Sequence, residues 1–375
     1  MDLTVAKSEL IKLINITQNV VERRTTMPIL ANVLISATDG KLKISASDLE
    51  ITAVAQGSAH VNSPGSTTVN ARVFCDLVKE LPEDEVRIKL SEGERLEITS
   101  RKSKFRINGV SAEEYPSLPG VGFEVKGRIG SKAFLEMINR TLYAVSQDET
   151  RFNLNGVCFE IVGEGKKGQK ALRMVATDGH RLSLIARGIG EFDFKGRVIV
   201  PRKGLNEIKK ILDTSEDVPT GIDISDGFLV LESRDAKVSM RLIDAEYPDY
   251  NQVIPKQKGV LAIVPSAELV QSLRRVALMV TDKGKCVRMD FNKDSLRIVS
   301  SSPELGDASE EVSLRYEGKP LSVGFNAKYL LDFALSLEEE QNIVIELNGE
   351  LGPGKFYAEN DESYFGIVMP MRLSA

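Results

Sequence analysis

Tryptophan is absent from this chain of 375 residues, histidine occurs twice and cysteine three times. His60 and His180 lie far apart, and no CxxC or Cys/His spacing accompanies them, so neither a zinc site nor a disulfide framework is encoded. Cys75, Cys158 and Cys286 read instead as small apolar core groups in a reducing compartment. No run reaches the ~18 apolar residues of a membrane span. The opening MDLTVAKSELIKLI carries acids and lacks the apolar core of a signal peptide. A soluble, cytoplasmic protein is expected, with no membrane partner, no metal and no cofactor. Aromatic residues make up 6% of the chain, too few for the basic, aromatic-rich strands that stack single-stranded bases. Helix-turn-helix and zinc-finger spacings are missing, as are a P-loop and a nucleophile elbow.

What is present is repetition. Leu13–Thr17 (LINIT) lies over Met137–Thr141 (MINRT), and the same offset sets Leu30–Ile35 (LANVLI) over Leu154–Phe159 (LNGVCF). Further along, Ala46–Thr52 (ASDLEIT) matches Ala176–Leu182 (ATDGHRL). A Glu-Tyr-Pro corner then recurs at Tyr115 and Tyr247. The small drift in offset is assigned to a polar loop inserted at Gly163–Lys170, since insertions collect in surface turns. Val270–Val280 (VQSLRRVALMV) begins a fainter third copy. PGVGFEVKG and PKQKG mark the joints.

Each copy is itself halved. Helical periodicity places Leu10, Leu13, Ile14, Thr17, Val20 and Val21 on one face, and Val73, Phe74, Leu77, Val78 and Leu81 on another. The second copy offers Phe134, Leu135, Ile138, Leu142 and Val145, then Leu205, Ile208, Ile211 and Leu212. The third offers Leu269, Leu273 and Val276, then Leu330, Phe333 and Leu337. Alternating strands such as KLKISASDLEITAVA and VRIKLSEGERLEITS fill the intervals.

The net charge is −5, which by itself does not advertise a nucleic-acid binder. The sign is segregated, however. Acids crowd loops such as PEDE, SEGE and LEEEQ. Bases are the more numerous on the helices: Lys7, Lys12, Arg72, Lys79, Lys132, Arg140, Arg202, Lys203, Lys209, Lys210, Arg274, Arg275 and Lys328. Helices sharing one basic surface would bind a polyanion through phosphates, without reading bases. A rival reading makes Asp178 and His180 of TDGHRL an acid–base pair. The matching place in the first copy reads SDLE, without histidine, which favours a turn over chemistry.

The strings MPILANVLI, LNGVCFE, ATDGHRLS, VIVPRKG, EYPDY, GFNAKYLLD and VMPMRL resemble, in order and over nearly the whole chain, the bacterial beta sliding clamps, processivity rings of the replicative DNA polymerase. The resemblance implies an α+β DNA-clamp fold of three similar domains, 1–122, 126–252 and 258–375, each built of two helix-plus-strands halves. Two chains would close head-to-tail as a homodimeric ring, helices inside and sheets outside. Such a ring encircles duplex DNA irrespective of sequence and catalyses nothing. It tethers the replicative DNA polymerase, and it also meets a clamp loader and other polymerases and repair factors through a short peptide motif containing Gln, Leu and Phe.

Residue by residue, the resemblance assigns DNA contact to Arg24, Arg72, Gln147, Arg202 and Lys203. It assigns the partner peptide to Leu154, Thr177, Gly179, His180, Arg181, Leu182, Pro248, Val253, Asn326, Tyr329, Val368, Met369, Pro370, Met371, Arg372 and Leu373. Leu, Val, Pro and Met suit an adaptable apolar groove. Arg181 and Arg372 are expected to hold the peptide's polar ends or backbone, with His180 as a wall. Ring closure falls to Phe105 and Ile107 against Leu278 and Met279, with Lys102, Lys104 and Arg106 facing acids of the partner. Gln252 stands where some relatives carry Arg, and Ser374 and Ala375 extend past the usual ending.

Overall fold

A computed structural model of the chain describes residues 1–21, 27–82, 84–164, 169–188, 192–212, 217–281, 285–337 and 341–373. Six α-helices occur among them: α1 (Lys7–Thr17), α2 (Ala71–Glu80), α3 (Ser131–Leu142), α4 (Arg202–Ile211), α5 (Ser266–Ala277) and α6 (Ala327–Ala334). All six are those expected from periodicity, two per repeat. Their buried faces carry Leu10, Leu13 and Ile14; Phe74 and Val78; Phe134 and Ile138; Leu205 and Ile208; Leu269 and Leu273; Leu330 and Phe333. Asn70 and Asn326 cap α2 and α6, their side-chain oxygens accepting from the amides of Val73 and Lys328 at 3.1 and 3.0 Å.

Helix ends differ from expectation. α1 stops at Thr17, so Val20 is buried from the turn that follows the helix. Val73 was expected on the core face of α2 but is half exposed, and Ala71 and Cys75 are buried in that helix instead. The predicted loop at Gly163–Lys170 is partly strand. Gly163 pairs with Lys170 and Glu164 with Gln169, extending the hairpin, while 165–168 lie outside the described residues.

The chain forms two compact units. The first comprises Met1–Leu135, Ile189–Phe194 and Val200–Leu242; the second comprises Glu136–Gly188, Lys195–Ile199 and Ile243–Ala375. The middle repeat contributes to both, because its sheets fuse with its neighbours'. In the first unit, Ala236–Arg241 pairs antiparallel with Ile51–Ser58, Val238 opposite Ala53. This joins the first repeat to the second half of the middle one in a 13-stranded sheet. In the second unit, Arg181–Gly188 pairs with Asp361–Val368, Ser183 opposite Gly366, within a nine-stranded sheet. A four-stranded sheet, Gly306–Ser313, Ser295–Ser302, Cys286–Asn292 and Leu321–Asn326, completes the third repeat. Continuous backbone pairing across each junction leaves no strand edge there.

Two of the predicted surface bases are interior. Lys7 is buried, and its ammonium donates to the carbonyls of Lys79 and Leu81 at 3.0 and 2.5 Å, closing the C-terminal end of α2. Arg140 is buried against Glu136 and Asp361 at 2.7 and 3.2 Å, with the Tyr364 ring 4.7 Å away. A helix position opposite the apolar stripe is not always solvent; here another element covers it. Lys12, Arg72, Lys79, Lys132, Arg274 and Lys328 do stay exposed. Cys75 and Cys158 are buried as expected, and Cys286 is partly so. Among the described residues no helix is long and apolar enough to cross a membrane.

Candidate functional site: an apolar groove beside a repeated turn

The TDGHRL string forms a tight turn whose polar side chains are consumed locally. Thr177 Oγ1 donates to the Arg181 carbonyl at 2.6 Å and accepts from the Gly179 amide at 3.1 Å. Asp178 Oδ1 accepts from the amides of His180 and Arg181 at 2.9 and 3.0 Å, and Oδ2 from Arg181 Nε at 3.0 Å. The first repeat makes the same turn. Leu49 N donates to Ser47 Oγ at 3.0 Å, and Asp48 Oδ1 accepts from Glu50 and Ile51 at 2.9 and 2.6 Å. Lys203 pairs with Asp48 as Arg181 pairs with Asp178. Position three needs a left-handed backbone in both copies, φ 76° at Leu49 and 87° at Gly179. A Cβ at Gly179 would also come within 2.9 Å of Arg151 Nη1. Asp178 is therefore a turn-forming carboxylate, and the acid–base reading with His180 fails. The histidine is exposed, and its carbonyl accepts from the Met369 amide at 2.9 Å.

The Glu-Tyr-Pro corner explains why the turn is written twice. Tyr115 is buried, and its hydroxyl accepts from the Ser47 amide at 3.1 Å. Tyr247 takes the equivalent place beside the backbone of Thr177, although its hydroxyl completes no hydrogen bond among the described residues. Burial pushes that hydroxyl far above its ordinary value.

Against the second turn lies a groove of about 230 Å³. It gathers nine of the residues expected to hold a peptide: Leu154, Thr177, Gly179, His180, Arg181, Leu182, Pro248, Val253 and Met369. Three further residues line it that the resemblance does not assign, Asp249, Tyr250 and Ile367. The floor is the core itself, because Leu154, Leu182, Tyr250 and Ile367 belong to a buried cluster with Cys158, Val175, Leu184, Ile199 and Tyr247. The rim is accessible, Val253 being 42% and Met369 40% exposed. A neighbouring cleft of about 530 Å³ shares Val253 and Met369 and adds Gln252, Lys256, Asn348 and Pro353.

The other expected peptide residues divide. Asn326 and Tyr329 line a separate cleft of about 600 Å³ together with Gln147, Lys285 and Lys328. Val368 is buried and pairs with Arg181 in the sheet. Met371 is stitched to the neighbouring strand by its amide, which donates to Gly324 at 2.8 Å. Pro370 is half-buried, and Arg372 and Leu373 are exposed beside it. Ser374 and Ala375 lie outside the described residues.

Arg181 borders both cavities but is not free to grip a ligand. It is 8% exposed, and it donates to Asp178 at 3.0 Å, to Asp332 at 2.6 Å and to the Tyr143 carbonyl at 2.5 Å. Its guanidinium carbon lies 4.4 Å from the Tyr329 ring centroid and 5.3 Å from that of Tyr143. These bonds fasten the turn to α6, and Arg181 lines the groove as well.

Of the residues expected to meet DNA, Arg72 is exposed, with Asp76 at 3.7 Å, and Gln147 is exposed after α3. Arg202 is half-exposed at the start of α4. Lys203 is tied to Asp48, and Arg24 lies outside the described residues. Of the residues expected at ring closure, Phe105 is 42% and Leu278 72% exposed, while Ile107 and Met279 are half-buried.

Repeated helix-and-sheet units fused edge to edge, with an apolar groove beside a locally bonded turn, define a clamp-type binding platform. The DNA polymerase III beta subunit matches along the chain: its N-terminal domain at 1–119, its central domain at 128–249 and its C-terminal domain at 251–372. A beta sliding clamp from Vibrio cholerae is 30% identical over all of both chains. The sliding clamp structure from Bacillus subtilis superposes over all of both chains with a TM-score of 0.92 at 30% identity. One from Bartonella birtlesii, bound to griselimycin, gives the same values. The chain belongs to the DNA polymerase III beta subunit family, the bacterial beta sliding clamps. It is a processivity clamp of DNA replication, a partner of DNA and of the polymerase, and not an enzyme.

Proposed function

We propose that two copies of this chain close head-to-tail into a ring around duplex DNA in the cytoplasm, with three domains per chain at 1–122, 126–252 and 258–375. The observation that carries the reading is a pair of open strand edges of opposite charge. Ser103–Val110 meets its neighbour Gly65–Asn70 only at Gly109 and Val110, so one edge from Ser103 to Asn108 is unpaired among the described residues. Lys104 and Arg106 stand along it, with Phe105 and Ile107 on the opposite face. Gly306–Ser313 is the outer strand of its sheet and exposes Asp307 and Glu311. An exposed edge invites another chain, and closure removes the hazard. Exposed Leu278, following α5, supplies apolar cover.

Within such a ring Arg72, Gln147, Arg202 and the exposed helix lysines touch phosphates weakly and without sequence preference, which permits sliding. Arg24 keeps its assigned role. Lys203 reaches DNA only by leaving Asp48. The groove beside Thr177–Leu182 takes a short partner peptide, and the clamp loader, the replicative polymerase and repair factors compete for it. The griselimycin complex of the Bartonella birtlesii relative supports a ligand site on this fold.

A Leu278→Asp variant tests closure. The side chain is largely exposed within its own chain, so folding is retained. Sedimentation is expected to give the mass of two chains for the parent and of one for the variant at micromolar concentration. A parent with the mass of one chain, or a variant that stays dimeric, contradicts the interface.

A further inference from the structure

Tyr250 forms one wall of the groove, yet it is only 3% exposed and its hydroxyl points away from the cavity into a buried charged group. The hydroxyl donates to Glu160 Oε1. Arg173 Nη1 reaches Glu160 Oε1 at 3.1 Å and the Tyr250 hydroxyl at 3.3 Å. Arg197 Nε donates to Glu160 Oε2 at 2.7 Å, and its guanidinium carbon lies 5.2 Å from the Tyr250 ring centroid. Glu160 and Arg173 are directly opposed on paired strands, and Arg197 stands on the strand at their other side. Three adjacent strands therefore fasten the hydroxyl end of a ring that the short Tyr250–Gln252 helical turn carries and the buried cluster packs.

The protonation states support this arrangement. Burial, the largest influence on Glu160, pushes its carboxyl up, but hydrogen bonds from Tyr250 and Arg197 and the charges of Arg197 and Arg173 hold it below its ordinary value. Burial first, and the hydrogen bond to Glu160 second, push Tyr250 up to about 12. Acceptor and donor thus keep their roles at neutral pH. The charges are costly to bury, and the engagement of both Glu160 oxygens holds the carboxylate in place, although Arg173 Nε completes no hydrogen bond among the described residues.

We propose that Tyr250 is the specificity-determining wall of the peptide groove, and that Glu160, Arg173 and Arg197 are positioning residues that fix its ring and so the width of the chamber. The ligand is a partner peptide with a large apolar anchor side chain, so the inference rests on the peptide reading of the groove. About 230 Å³ falls below the ~300–1,000 Å³ of cavities that hold a drug-sized ligand, and it suits an anchor side chain rather than a whole segment. A chamber with one pinned aromatic wall discriminates between a branched aliphatic and an aromatic anchor. A chamber with a swinging wall adapts to both.

The test uses the full chain and two synthetic peptides that differ only in a Leu or Phe anchor. Tyr250→Phe keeps the ring and removes the tether. Glu160→Gln weakens the tether from the other end. Arg197→Gln does so from the half-exposed rim, where folding is least at risk. The Leu/Phe ratio of dissociation constants is expected to move at least threefold toward one in each variant. Combining Tyr250→Phe with Glu160→Gln should move it no further than either alone, because both cut one link. General loss of stability would weaken both peptides together and leave the ratio in place. An unchanged ratio in the folded Arg197→Gln and Tyr250→Phe variants overturns the proposal. A parent that binds neither peptide overturns the groove reading itself, and the proposal with it.

Discussion

Replacing Val253 and Met369 together by alanine weakens partner-peptide binding by about 30- to 150-fold, while the denaturant midpoint stays that of the parent. Both side chains line the groove and both are roughly two-fifths exposed. They therefore contribute little to the folded chain alone and become fully covered only under a bound peptide. Truncating two apolar contacts in a desolvated pocket costs about 2–3 kcal/mol of binding, which is the stated range. Leu182 and Leu154 are poorer choices, because they are buried core and their loss would destabilise the unit as well. Peptide affinity is read by fluorescence polarisation. An affinity within twofold of the parent, with folding intact, places the peptide elsewhere.

Arg181→Ala destabilises the second unit by about 3–5 kcal/mol, the cost of breaking a buried ion pair by removing one partner. The loss strands Asp178 and Asp332, takes the donor from the Tyr143 carbonyl and empties the gap between the Tyr143 and Tyr329 rings. Amides of Arg181–Gly188 and α6 should exchange with deuterium on the order of 10²- to 10⁴-fold faster. Arg181→Lys should recover part of this, since an ammonium cannot reach all three acceptors with the planar fork of a guanidinium. Protection equal to the parent's in the alanine variant would show that the residue is dispensable to the fold. It would also leave Arg181 to serve a ligand alone.

The repeat was legible in the sequence for a local reason. The turn at Ser47–Ile51 and its copy at Thr177–Arg181 depend on a hydroxyl and a carboxylate that bond amides two and three residues on. Such a device leaves its residue types at fixed spacing, and the Glu-Tyr-Pro corner travels with it. Helix faces were legible for the same reason, through their period. What escaped depends on distant partners. Lys7 and Arg140 look like surface bases until α2 and the strand Asp361–Val368 cover them, and nothing near either residue announces the cover. Tyr250 closes the string EYPDY, but its role does not show there, because its partners Glu160, Arg173 and Arg197 come from three other strands. The anchoring role of Arg181 escaped as well, since Asp332 is remote in sequence from the turn.

The most direct test of the ring is retention on DNA. The protein is loaded onto a nicked circular duplex by an ATP-driven clamp loader, washed in high salt to remove charge-held molecules, and the circle is then cut once. A closed ring predicts that the protein stays on the intact circle and leaves soon after the cut, because only topology holds it. Retention by the linear DNA, or equal loss from circle and line after verified loading, would contradict encirclement.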